Sequence, residues 1–155
     1  MYGGLNSLNS LHKVNKFFKN FKKGKYAKII YCPPNTLIRP MSKKLNGSNI
    51  EVGAQNCHEQ DNYGAFTGSV NSKMIKNVGA KYVIIGHSEN RQAGETDKLI
   101  NKKIKSALKV GLRVIFCIGE TLKQKRNKVT KQVLSRQLKF GLNKIRNNNK
   151  VLIAY

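Results

Sequence analysis

Short apolar runs at 27–31, 82–85, 112–118 and 151–155, with a weaker one at 49–54, punctuate this chain. Between them, apolar residues recur every three or four positions, the period of a helix with one buried face. Leu8, Leu11, Val14, Phe17, Phe18 and Phe21 form the first such stripe, on a helix expected to end near Gly24. Pro33-Pro34 stops the run at 27–31, which fits a buried strand followed by a loop. Residues 55–70 read as a Gly-containing loop, and Met74, Ile75 and Val78 mark a short helix with Gly79 as its C′ residue. Leu99, Ile100, Ile104, Ala107 and Leu108 mark another helix, closed by Gly111. Val133, Leu134, Leu138, Leu142 and Ile145 mark a long one that starts at Thr130.

The order is α-(βα)-(βα)-(βα)-(βα)-β, with strands roughly 25–35 residues apart, the size of a βαβ unit. Strands that are apolar throughout are buried on both faces, which means a parallel sheet covered by helices. Right-handed crossovers make such a sheet either doubly wound or part of a barrel, and the pattern alone does not choose. In both, the site forms at the C-terminal ends of the strands. No linker or internal repeat interrupts residues 1–155, so they read as one domain or a piece of one.

Charge narrows the function less than its size suggests. The 155 residues carry 30 Lys+Arg against 7 Asp+Glu, a formal net charge of +23. Only six of the 30 are Arg (39, 91, 113, 126, 136 and 146), and the rest are Lys, a residue that A/T-rich codons favour together with the abundant Asn. Base and phosphate recognition favours Arg interleaved with stacking aromatics, a pattern this chain does not show. A specific nucleic-acid role is therefore not expected, although weak, salt-sensitive adsorption to polyanions is. The basic first helix also suits a membrane surface or a presequence, but its Lys-for-Arg usage favours an ordinary covering helix. No run approaches the about 18 apolar residues of a membrane span. Cys32, Cys57 and Cys117 lack Cys-x-x-Cys spacing and read as reduced thiols of a cytoplasmic protein, neither a disulfide frame nor a metal site.

Among the acidic residues, Glu89 and Glu120 fall just past the ends of apolar strands, where capping and function are both open readings. Glu95 and Asp97 fit caps of the helix that follows them. His12 is expected to face solvent and His58 to lie in a polar loop without a partner. His87 differs, because it follows the 82–85 strand across Gly86 and precedes Ser88-Glu89-Asn90, a possible helix start. A helix N-terminus disfavours the imidazolium cation, so a neutral ring there can donate N–H to a substrate oxygen. No Gly-x-Gly-x-x-Gly, Gly-Lys-Ser/Thr or His-Glu-x-x-His motif implies a nucleotide, cofactor or metal.

The stretch Tyr82-Val83-Ile84-Ile85-Gly86-His87-Ser88-Glu89 resembles the fourth-strand signature of the triosephosphate isomerase family. Gly53-Ala54-Gln55-Asn56-Cys57 with Gly64-Ala65-Phe66-Thr67-Gly68 resembles its third strand and long interdigitating loop. Gly94-Glu95-Thr96-Asp97 and Val114-Ile115-Phe116-Cys117-Ile118-Gly119-Glu120 resemble the next helix start and the fifth strand. Met1-Tyr2-Gly3 and the closing 151–155 resemble segments at the first and sixth strands. The resemblance implies a partial (β/α)₈ barrel, roughly strands two to six with helices one to five, as a single incomplete domain over 1–155. It further implies a cytoplasmic, homodimeric enzyme of glycolysis and gluconeogenesis, with no cofactor, that interconverts dihydroxyacetone phosphate and glyceraldehyde 3-phosphate.

On that resemblance His87 is the electrophile that polarises the substrate carbonyl. Ser88 and Glu89 match its companions, Cys117 a buried cysteine near the site, and Glu120 a supporting carboxylate. Thr67 and Gly68 match the tip of the loop that reaches the neighbouring subunit. Two departures stand out: Ser69 where most relatives have an acid, and Asn90 where many have Arg. The family's lysine would fall just before Met1 and its glutamate base just after Tyr155, so residues 1–155 are expected to be inactive as they stand. The alternatives are a non-catalytic product of a decayed gene, or a basic polyanion-binding module on a broken barrel.

Overall fold

The computed structural model describes residues 3–19, 28–146 and 149–155. Helix α1 (Ser7–Lys19) precedes β1 (Ile29–Tyr31), α2 (Asn35–Lys44), β2 (Ile50–Ala54), α3 (Ser72–Asn77) and β3 (Tyr82–Ile85). Then come α4 (Ser88–Gln92), α5 (Asp97–Lys109), β4 (Arg113–Cys117), α6 (Leu122–Arg126), α7 (Thr130–Gly141) and β5 (Val151–Ala154). The helix end expected near Gly24, the beginning of the 27–31 run and the side chain of His12 lie outside the described residues.

All five strands are parallel and stand in the order β1-β2-β3-β4-β5. That order decides what periodicity left open. A doubly wound sheet reverses its order at a switch point, whereas a barrel adds each strand beside the last. The fold is therefore a partial (β/α)₈ barrel, with β1 to β5 as five consecutive strands of the eight.

Burial follows position in the sheet. Val83, Ile85, Val114 and Phe116 of the central strands are fully buried, packed with Ile100, Ile104 and Ala107 of α5. The same apolar composition at the edge leaves Leu152 and Ile153 half exposed. Two helix ends form as expected: Gly79 and Gly111 each follow a helix C-cap with positive φ, +105° and +85°, the region where glycine bears no Cβ penalty.

Other expectations need correction. The helix from Thr130 stops at Gly141 and does not run on to Ile145. A helix not foreseen, α6, forms because Thr121 accepts from the Gln124 N–H while Gln124 accepts from the Thr121 N–H. Asp97 does lie in the first turn of α5, but the cap is Thr96, and Glu95 instead joins a buried cluster with Lys103 and Asn56. His58 has partners after all: its Nδ1 accepts from the Gln60 N–H, its Nε2 is 3.4 Å from Glu59, and its ring packs on Phe66.

Candidate active site

The C-terminal ends of β3, β4 and β5 surround a cleft of about 720 Å³, lined among others by His87, Ser88, Arg91, Cys117, Glu120 and Tyr155. Gly86 makes the turn that delivers His87. Its φ is +80°, and a Cβ there would come within 3.0 Å of the Cys117 carbonyl. Any other residue would strain the backbone and push β3 and β4 apart.

His87 is the N-cap of α4, and its Nδ1 accepts from the Glu89 N–H at 3.3 Å. In a neutral ring that contact places the proton on Nε2. The Glu89 carboxylate stands 3.7 Å from the same Nδ1, beyond hydrogen-bond range, and is 79% exposed. The backbone contact therefore orients the ring, not the carboxylate. Ser88 is exposed as the first residue of α4.

From the other side of the cleft, Glu120 Oε1 accepts hydroxyl hydrogen bonds from Thr130 at 3.1 Å and Tyr155 at 3.2 Å. Backbone hydrogen bonding at Glu120 itself, then these two hydroxyls and Lys125, outweigh desolvation and hold the carboxyl below its usual range. The loop that carries it is clamped at Gly119, whose N–H donates to Gln137 Oε1 at 2.8 Å and whose carbonyl accepts from Nε2 at 2.9 Å. Gln137 is buried, so this pair is shielded from water and fixes the backbone next to Glu120. Cys117 is half-buried, not buried as the resemblance implied, because its side chain opens onto the cleft. Desolvation raises its thiol, partly opposed by the Arg91 charge.

Arg91 joins the strand ends. Its Nε donates to the Gly86 carbonyl at 2.8 Å, Nη2 to the Cys117 carbonyl at 3.2 Å, and Nη1 to Asp97 at 2.7 Å. One planar guanidinium thus ties β3, β4 and α5 around the turn before His87. Thr67 and Gly68 do not line this cleft; they are exposed on the 55–70 loop. Among the described residues no group of three or more His, Cys, Asp or Glu is placed to hold a metal ion.

A family model described as triosephosphate isomerase matches residues 1–155. The chain belongs to the triosephosphate isomerase family. The triosephosphate isomerase of Carboxydothermus hydrogenoformans is 50% identical over 115 residues, covering 74% of this chain and 45% of that protein. The Aquifex aeolicus one is 42% identical over 130 residues, 83% of this chain and 52% of that protein. A crystal structure of triosephosphate isomerase from Bartonella henselae superposes with a TM-score of 0.92 at 35% identity, over 100% of this chain and 63% of that one. The chain spans about half the length of the curated relatives it matches.

Within this family fold, sequence reasoning located His87, Glu89 and Glu120 at strand ends, and the resemblance added Cys117, but both missed Arg91, Gln137 and Tyr155 as parts of the cleft or its walls. Arg91 had a local signal, since it lies one helical turn beyond His87. Gln137 had none: its partner, Gly119, is 18 residues away across a loop.

Proposed function

We propose that the protein to which these residues belong interconverts dihydroxyacetone phosphate and glyceraldehyde 3-phosphate, with His87 as electrophile. The observation that carries this is the His87 ring, fixed at Nδ1 by the Glu89 N–H and so left with Nε2–H as a donor into the cleft. A hydrogen bond from Nε2–H to the substrate carbonyl oxygen stabilises the charge that develops there as a carboxylate base removes the adjacent carbon-bound proton. The resulting enediolate is reprotonated on the neighbouring carbon, and His87 carries protons between its two oxygens. Glu120, Cys117, Ser88 and Glu89 support the cleft, and Thr67 and Gly68 belong to the loop of a homodimer interface. Residues 1–155 form one part of a single barrel domain, in a cytoplasmic enzyme of glycolysis and gluconeogenesis.

The family's lysine and glutamate base have no match within residues 1–155, so the isolated 155-residue polypeptide is proposed to be inactive. Two measurements test the reading together. In the full natural chain, His87→Gln should lower kcat by about 10²–10⁴-fold with little change in folding. Isomerase activity in the isolated polypeptide above that of its His87→Ala version would overturn the inactivity, and wild-type kcat in His87→Gln would overturn the role of His87.

A further inference from the structure

The opposite end of the sheet holds a second cleft, of about 270 Å³, with Lys28, Glu51, Lys76, Lys81, Tyr82 and Arg113 around it. These residues sit at or near the N-terminal starts of the strands, apart from Lys76, which α3 brings in. Four cations there face one carboxylate.

Glu51 is already committed. Lys81 Nζ donates a hydrogen bond to Oε1 at 3.3 Å, and Lys28 Nζ forms an ion pair with Oε2 at 2.9 Å. Burial would raise its carboxyl, but Lys28, Tyr82 and Lys81 hold it below its usual value. Arg113 and Lys76 are different. Arg113 Nη1 donates to the Tyr82 hydroxyl at 3.1 Å, and no carboxylate pairs with the guanidinium among the described residues. Lys76 donates to the carbonyl of Val110, a neutral partner. Gly111 borders the same cleft, and a Cβ there would stand 3.0 Å from Lys76 Nζ, so its missing side chain keeps the space before the ammonium clear.

We propose that this cleft binds a small tetrahedral oxyanion, inorganic phosphate or the phosphate of a small phosphomonoester, between Arg113 and Lys76. Arg113 has a flat edge of N–H donors still free to take two oxygens of such an anion, and Lys76, lining the same cleft, adds a point charge. The site lies at the other end of the strands from His87 and does not depend on the isomerase reading.

The test is a titration of the full natural chain with inorganic phosphate, and separately with glycerol phosphate, at constant ionic strength. Amide NMR shifts of Lys81, Gly111 and Arg113 report on this end, and those of His87 and Gly119 on the other. Saturable shifts at the first group are expected, weakened about tenfold by Arg113→Gln and severalfold by Lys76→Gln, but unchanged by Lys139→Gln on α7. Tighter binding of glycerol phosphate supports a phosphomonoester ligand, and tighter binding of phosphate supports the free ion. Shifts confined to His87 and Gly119, shifts that never saturate, or equal weakening by Lys139→Gln would overturn the site. Should Arg113→Gln fail to fold, unchanged affinity in Lys76→Gln alone would do so.

Discussion

The three thiols show how one residue type takes three reactivities from its surroundings. Cys57, near the start of the 55–70 loop, is buried, and desolvation pushes its thiol up to about 12, with the nearby Lys103 opposing. Desolvation also pushes Cys32 up to about 11, whereas Cys117, open to the cleft, is raised less. Only the thiolate attacks, so near neutral pH the burial-raised Cys32 and Cys57 thiols react slowly. In the natural chain Ellman's reagent should therefore modify Cys117 first and Cys57 last, with the order erased in denaturant. Equal rates in the native protein would contradict the burial. The same shifts carry a sign for stability. Both folded values lie above the unfolded 9.0, so the contribution is complete below pH 9 and lost as pH climbs towards 11 and beyond. Cys57→Ala should accordingly flatten the alkaline limb of a melting-temperature profile.

At the scale of elements, α7 and β4 meet closely at one glycine. A Cβ on Gly141 would lie 2.3 Å from the Phe116 ring, and Phe116 is fully buried in the core. Asn101 of α5 holds the same helix end by donating to the Gly141 carbonyl at 2.8 Å and that of Asn143 at 3.0 Å. In the full natural chain, Gly141→Ala should then destabilise by about 1–3 kcal/mol through overpacking, read as a lower urea midpoint at unchanged slope. Gly119→Ala, with open space around it, serves as the comparison, and an equal shift in both would show that close packing is not the cause. Strands, and helices with a clear apolar stripe, were legible in the sequence because both periods are local. The two ends that Gly79 and Gly111 close were legible for the same reason. What a single stretch cannot encode was not legible: the strand order that distinguishes a barrel, the pull of Lys103 and Asn56 on Glu95, and the reach of Arg91 to Cys117. Helix α6 is an intermediate case. Its capping signature, Thr121-x-x-Gln124, stands in the sequence, but five residues without a buried side chain leave no periodicity to find.

Taken alone, the 155 residues set a contact attraction against a long-range repulsion. Strands β1 and β5 are the outer strands of the sheet, and five strands do not close a barrel that requires eight. On β5 the exposed Leu152 and Ile153 make that edge a template for pairing with another chain. Against this stands the formal charge of +23, which keeps copies apart while the field reaches across the gap. Salt shortens that reach to about 10 Å at 0.1 M, whereas strand pairing and apolar contact are not screened. The isolated polypeptide should thus remain dispersed at low ionic strength and associate as salt rises, without a sharp cooperative melt. Sedimentation velocity across a salt series, with thermal unfolding followed in parallel, reads both properties. Placing a charge on the exposed edge strand, Leu152→Lys, should move the onset of association to higher salt. A monodisperse monomer that melts cooperatively throughout the series would show instead that the five strands satisfy their own edges.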